Sequence, residues 1–169
     1  YYSSKLVGGK VLVIQLHNGE NKFLSSQVEK LTTDIKTAQK NNYTVLLFMH
    51  ETLSTGNEDD TAVAAIRSDA ENAGQQGDST SRNFYSMNSS TTGNVINIHP
   101  DIDEATKQVY NLITNNADVI KGVFNGHVHS SYYTEIVAKT SDGDAAIIPQ
   151  YTVSAGAFDN GYAIKIKVN

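Results

Sequence analysis

Two apolar stretches separated by one amphipathic segment constrain the fold of this chain more than any other feature. Lys10–Leu16 and Thr44–Met49 are rich in β-branched and aliphatic residues and predict buried strands. Ser25–Gln39 predicts a helix, with the serines at its start as candidate caps. Its apolar positions, at helical spacing, are Val28, Leu31, Ile35 and Ala38. A strand, a helix and a strand in close succession form a βαβ unit, so the two strands should run parallel.

The C-terminal part of the chain predicts one more helix and further strands. Asp103–Asn116 has a helical apolar face, and Val119–Asn125 follows it as a strand. Three later strands are expected at Tyr132–Ala138, Ala145–Val153 and Tyr162–Val168. Short Gly/Asp turns join them, which favours antiparallel hairpins. The sequence therefore predicts an α/β fold with a mixed sheet, and the apolar character of both early strands predicts layers on both sheet faces.

Residues 54–100 differ from the rest of the chain. They are rich in Gly, Ser, Thr and Asn, and only Asp59–Asn72 has a helical pattern. We interpret 54–100 as a long, loop-rich insertion, and such segments usually border functional clefts. The whole chain, 1–169, is interpreted as a single domain.

Composition narrows the classes of partner. Hydrophobic residues make up 39% and charged residues 18% of the chain, which is typical of a globular protein. The net charge of −5 argues against nucleic acid as a binding partner other than as a substrate. No apolar run is long enough to predict a membrane span. Cysteine is absent, so thiolate chemistry is excluded. The polar residues are mainly Asn, Ser, Thr and Tyr, a composition that favours a secreted or cell-surface protein.

Histidines follow two of the predicted strands directly. His50 ends one strand, and His127 and His129 come after another, preceded by a glycine that permits a tight turn. The carboxyl ends of strands are where open α/β sheets form their sites, and imidazole binds divalent metals such as zinc, manganese and iron. The remaining histidines, His17 and His99, are interpreted as surface residues.

These elements together resemble the C-terminal half of a calcineurin-like metallophosphoesterase. The resemblance extends from about Lys10 to Val168, and its most specific part is Gly126-His127-Val128-His129, with Phe48-Met49-His50-Glu51 in support. It implies half of an αββα sandwich. It also implies a metal-dependent phosphoester hydrolase, acting on phosphomonoesters or phosphodiesters.

The resemblance implies a role for each histidine. His50 and His127 would bind one ion of a two-metal centre, and His129 would bind the other. The ions would be Mn, Fe or Zn, activating a hydroxide and neutralising charge on the phosphoryl group. Glu51 and Asn125 are candidates for fixing the orientation of the histidine rings by hydrogen bonds to the ring nitrogen that does not bind metal. No residue of this chain is assigned as a catalytic acid, base or nucleophile.

Three further motifs of the family have no counterpart in this sequence. Asp-x-His and Asn-His-Asp/Glu do not occur, and Gly-Asp occurs only after His50, where it does not match. The chain is therefore expected to be an incomplete domain that needs the N-terminal half of the same domain as its partner and hydrolyses little alone.

Two other functions remain open. The chain could be a non-catalytic binding or structural module that keeps the fold. It could also be another metallohydrolase with His-x-His, such as a metallo-β-lactamase-like enzyme, which requires an aspartate shortly afterwards. Ser130-Ser131-Tyr132-Tyr133 stands there instead, so this last reading is disfavoured.

Overall fold

The computed structural model describes residues 1–18, 23–50, 53, 85–90, 93–98, 103–126, 132–153 and 165–167. These residues form a mixed six-stranded sheet, a separate two-stranded sheet and two helices. In chain order the strands are β1 (Tyr2–Val7), β2 (Val11–Leu16), β3 (Thr44–Phe48), β4 (Tyr85–Ser90), β5 (Gly93–Ile98), β6 (Ile120–Asn125), β7 (Tyr132–Lys139) and β8 (Ala145–Thr152). The helices are α1 (Ser25–Asn41) and α2 (Glu104–Thr114). The strand order in the large sheet is β1-β2-β3-β6-β8-β7.

The predicted βαβ unit is confirmed. Strand β2 pairs in parallel with β3, and α1 connects them. The predicted capping by serine is wrong, because the residue at the N-cap position is Leu24 and no side chain caps there. Instead the Gln27 side chain, inside the first turn, accepts a hydrogen bond from the Leu24 N–H at 2.7 Å.

Strand β1 was not predicted. Its polar, exposed sequence lacks a clear apolar face, and it pairs antiparallel with β2 at one edge of the sheet. Gly8 and Gly9 form the turn between the two strands with φ of 57° and 72°. Glycine adopts this left-handed conformation without strain, so the Gly-Gly pair is the sequence signal that favours a hairpin here.

Helix α2 has a side-chain cap at its N-terminus, supplied by Asp103. The Asp103 carboxylate accepts from the Thr106 N–H at 3.0 Å and from the Thr106 hydroxyl at 2.9 Å. The same hydroxyl accepts from the N–H of Phe23, just before α1, at 2.9 Å. The starts of the two helices are thereby joined through buried polar groups.

The predicted antiparallel hairpin of β7 and β8 is confirmed, with Gly143 at φ 93° in its turn. The predicted final strand is wrong where it can be checked, because residues 165–167 lie outside any strand. Within the predicted insertion 54–100, the described residues form the hairpin β4–β5, which the turn-rich sequence did not predict. The predicted helix Asp59–Asn72 lies outside the described residues.

Both helices cover one face of the large sheet. Leu31 and Ile35 of α1 and Val109 and Ile113 of α2 are buried as predicted. They pack in one cluster with strand residues of this face, which we call the helix face. Its core residues on the strands are Leu12, Ile14, Leu16, Val45, Leu47, Val123, Ile136, Ala138 and Ile148.

The opposite face carries a row of aromatic rings. Phe48 stacks on Phe124 at 4.9 Å between ring centroids, Phe124 on Tyr151 at 5.3 Å, and Tyr133 tilts against Tyr151 at 5.3 Å. Gly122 makes room for this row, since an added Cβ would come within 3.0 Å of the Phe124 ring. Neither described helix covers this face, so the predicted second layer is not confirmed in the described part of the chain.

Candidate functional site

Four parallel strands, β2, β3, β6 and β8, end at the same edge of the sheet. We call this the carboxyl edge. His50 lies two residues beyond the end of β3, in a bend, and is exposed. Gly126 lies directly after β6 and is the last described residue before His127. Topology thus brings the ends of the two histidine-bearing strands to neighbouring positions.

Backbone hydrogen bonds continue across this edge after the strands end. The N–H of Met49 donates to the carbonyl of Phe124 at 3.0 Å, and the N–H of Gly126 donates to the carbonyl of His50 at 3.1 Å. On the other side of β6, the N–H of Val153 donates to the carbonyl of Asn125 at 2.9 Å. His50 and the residue preceding His127 are therefore directly bonded through their backbones.

The helix face changes from apolar to polar as its strands approach the carboxyl edge. Val123 is followed on this face of β6 by Asn125, and Ile148 on β8 is followed by Gln150 and Thr152. On β7, Thr134 pairs with Gln150. All these polar side chains are buried. They are hydrogen-bonded to one another, Gln150 to Thr134 and Thr152 to Asn125, as buried polar groups must be to avoid a loss of stability.

Asn125, a predicted support for the metal site, belongs to this polar end. It is 6% exposed, and its Oδ1 accepts a hydrogen bond from the Thr152 hydroxyl. Its Nδ2 is buried and has no hydrogen-bond partner within the described part of the chain. An unpaired buried donor costs about 1–3 kcal/mol, and such groups often mark a functional site.

The backbone of His50 is hydrogen-bonded to another buried carboxamide side chain, that of Asn18. Asn18 lies just after β2, is fully buried, and its Oδ1 accepts from the His50 N–H at 3.0 Å. The backbone of His50 is consequently bonded on both sides, to Asn18 and to Gly126, while its side chain remains exposed. A fixed backbone with an exposed imidazole is a suitable arrangement for a metal ligand.

The segment that follows His50 is anchored as well. Leu53 is fully buried, and its N–H donates to Gln150 Oε1 at 2.8 Å. The Gln150 amide donates in turn to the Thr134 hydroxyl at 2.6 Å. The chain from His50 to Leu53 is therefore attached to the core at both ends.

The predicted ligand set is not tested by the described residues and stays a prediction. His127, His129 and Glu51 lie outside the described residues, as does His99. Over the ranges that are described, no group of three or more His, Asp or Glu residues could hold a metal ion. His17 was predicted to be a surface residue but is half-buried, with its ring edge-on to Tyr1 at 6.1 Å.

Sequence reasoning missed Asn18 and Gln150. In the sequence, Asn18 lies between the predicted strand Lys10–Leu16 and the predicted helix, and Gln150 lies within the predicted strand Ala145–Val153. Both are fully buried carboxamides. The signal for Gln150 is a carboxamide on the same strand face as Ile148, a position that alternation assigns to the core. No comparable signal exists for Asn18, because its burial depends on the neighbouring strand.

A cavity of about 530 Å³ lies at the amino-terminal ends of β3 and β6, away from the carboxyl edge. Its lining includes Gln39, Tyr43, Asp118, Lys121 and Ser141, and none of its lining residues is a histidine. This cavity is distinct from the carboxyl edge and does not share its residues.

Asp118, in this cavity, makes stability depend on pH. Burial alone would raise the pKa of Asp118, but hydrogen bonds from Ser141 and Gln39 lower the pKa below its ordinary value of 3.8. A lowered pKa in the folded state stabilises the fold above the ordinary value, and this contribution is lost as the pH falls through the folded pKa.

We expect Asp118→Asn to lower the free energy of unfolding at neutral pH, with the difference shrinking in acid. Urea unfolding at pH 7 and well below pH 3.8 measures it. Asp142→Asn, an exposed carboxylate in the neighbouring turn, is the control. An equal loss from Asp118→Asn at both pH values would contradict the assignment.

Comparison with known proteins adds no identity. No protein-family model matches the chain, and no curated protein matches it either. Within the described residues, neither helix is long and apolar enough to cross a membrane.

Proposed function

We propose that this chain is part of a metal-dependent phosphoester hydrolase, with His50, His127 and His129 as its metal ligands. The observation that carries the proposal is the hydrogen bond from the Gly126 N–H to the His50 carbonyl at 3.1 Å. It joins the two strand ends from which all three histidines follow. The parallel order of β2, β3, β6 and β8 supports the same conclusion, since sites in such sheets form at the carboxyl edge.

The donor chemistry suits a borderline divalent ion. Imidazole nitrogens bind zinc, manganese and iron, whereas magnesium and calcium prefer oxygen. Bound ions of this kind lower the pKa of water and neutralise charge on a phosphoryl oxygen. In this chain, His50 would present its ring from a backbone that Asn18 and Gly126 hold, which reduces the entropy lost on binding.

Asn125 would contribute through its side-chain amide. Its Oδ1 accepts from the Thr152 hydroxyl, and its buried Nδ2–H has no acceptor within the described residues. An oxygen of the residues after Gly126, or of a ligand at the carboxyl edge, would satisfy it. In the first case Asn125 would support the residues that follow Gly126, and in the second case it would contact the ligand itself.

The finer fold assignment belongs to the same proposal. We infer that the mixed sheet is one of the two sheets of an αββα sandwich, with α1 and α2 as one outer layer. The aromatic row of Phe48, Phe124, Tyr151 and Tyr133 lies on the face where a second sheet would pack. Face-to-face packing of two sheets requires an apolar surface of this kind.

The test is metal content and hydrolysis of bis(p-nitrophenyl) phosphate with Mn²⁺ or Zn²⁺. It compares this chain with a version extended upstream in the source protein. We expect the extended protein to hold two ions and turn over, and this chain alone to bind weakly and hydrolyse little. If neither version binds metal or turns over, the fold serves as a non-catalytic binding module.

A further inference from the structure

Two buried carboxamides hold the short segment that begins with His50. Asn18 accepts from the N–H of His50 at 3.0 Å, and Gln150 accepts from the N–H of Leu53 at 2.8 Å. The two amides come from different strands, since Asn18 follows β2 and Gln150 lies in β8. The segment is therefore hydrogen-bonded on one side to the residue after β2, the neighbour of β3, and on the other side to β8, the neighbour of β6.

An ordinary surface connection does not need such support. Its backbone N–H groups can donate to water, whereas a carboxamide buried in the core loses its own hydration and rotamer freedom. Asn18 and Gln150 are both 0% exposed, so both side chains are fully removed from bulk water. This loss of stability is explained if the protein requires the segment that begins with His50 to have a fixed position.

The orientation of Gln150 is also determined by its neighbours. Its Nε2 donates to the Thr134 hydroxyl at 2.6 Å, which leaves Oε1 to face Leu53. The buried Leu53 side chain and the buried Met49 fix the two flanks of the segment. Between these anchors, His50 is an exposed side chain on a backbone with little freedom.

We propose that Asn18 and Gln150 are positioning residues that fix the His50 imidazole for metal binding. This inference rests on the proposed function, because it requires His50 to be a ligand. Residues that orient a ligand from behind typically contribute about 10–100-fold to metal affinity. Asn18 acts directly on the His50 backbone, and Gln150 acts through Leu53.

The experiment measures Zn²⁺ affinity by isothermal titration calorimetry and amide hydrogen exchange by NMR on the whole chain. The variants are Asn18→Leu and Gln150→Met, which have side chains of similar shape but lack the accepting oxygen. We expect each to weaken Zn²⁺ binding about tenfold and to speed exchange at the His50 or Leu53 N–H. Gln27→Met is the matched control, a buried carboxamide whose hydrogen bonds are to Leu24 and Tyr1 and not to the segment that begins with His50.

A double-mutant cycle with His50→Ala separates positioning from general loss of stability. In the His50→Ala background, Asn18→Leu should cause no further loss of affinity. If it does, or if Gln27→Met weakens binding equally at equal stability, the positioning role is overturned. Affinity that is unchanged in variants with faster amide exchange overturns it too.

The proposed function fails in a different way. If His50→Ala binds Zn²⁺ as tightly as the wild type, His50 is not a ligand and both proposals fall. If His50→Ala loses affinity but Asn18→Leu and Gln150→Met do not, only the positioning role falls. Should either variant fail to fold, the other carries the test, and rapid exchange of both N–H groups in the wild type would itself refute the proposal.

Discussion

His127→Ala, made in a protein extended upstream, is expected to abolish metal binding and to lower phosphodiester turnover by about 10³-fold or more. Bound ions supply several kcal/mol of transition-state stabilisation, and each 1.36 kcal/mol is about a factor of ten. The free energy of unfolding of the metal-free protein should change by less than about 0.5 kcal/mol, since no loss of core packing is expected. Metal content, turnover and urea unfolding measure the three effects.

His17→Ala is the matched control for this prediction. His17 also follows a strand at the carboxyl edge, but it lies outside every motif and its ring contacts Tyr1. It should leave metal content and turnover intact. If His127→Ala retained full metal content and turnover, the assignment of His127 as a ligand would be wrong.

Leu47→Ala should have the largest effect on stability. Leu47 is fully buried in β3, between β2 and β6, where it packs in the helix-face core. Removing a buried leucine side chain costs about 2–5 kcal/mol, because transfer free energy is lost and a cavity remains. Urea unfolding of the metal-free chain measures this loss.

Leu6→Ala provides the comparison. The Leu6 side chain is 42% exposed on the edge strand β1, so the same truncation should cost about 0.5 kcal/mol or less. A similar loss from both variants would show that β3 is not the centre of the core. The difference between the two isolates burial from residue type.

The local elements could be predicted because their signals lie within short stretches of sequence. The apolar runs of β2 and β3 and the periodicity of α1 each report burial on one element. Their parallel pairing then follows from the short connection. Strand β1 could not be found this way, since it is exposed and exists through its pairing with β2. The strand predicted at Tyr162–Val168 is not a strand at its described residues, 165–167, since alternation alone does not supply a pairing partner.

The candidate site was predictable only where a motif names its residues. His50 was expected at a strand end and lies there, exposed, beside Gly126. The assignment of His127 and His129 as ligands stays a prediction. Asn18 and Gln150 escaped notice because their function depends on residues distant in sequence: Asn18 bonds a residue 32 positions away, and Gln150 one 97 positions away.

The sheet order has a consequence for how this chain can diversify. Strands β3 and β6 are neighbours in space, yet all of residues 54–100 lie between them in the chain. Closing a longer flexible connection costs only about 0.6 kcal/mol for each doubling of its length. The length of that connection therefore contributes little to the free energy of unfolding. Related proteins could differ in the length of that stretch while the sheet and the backbone of His50 stay unchanged.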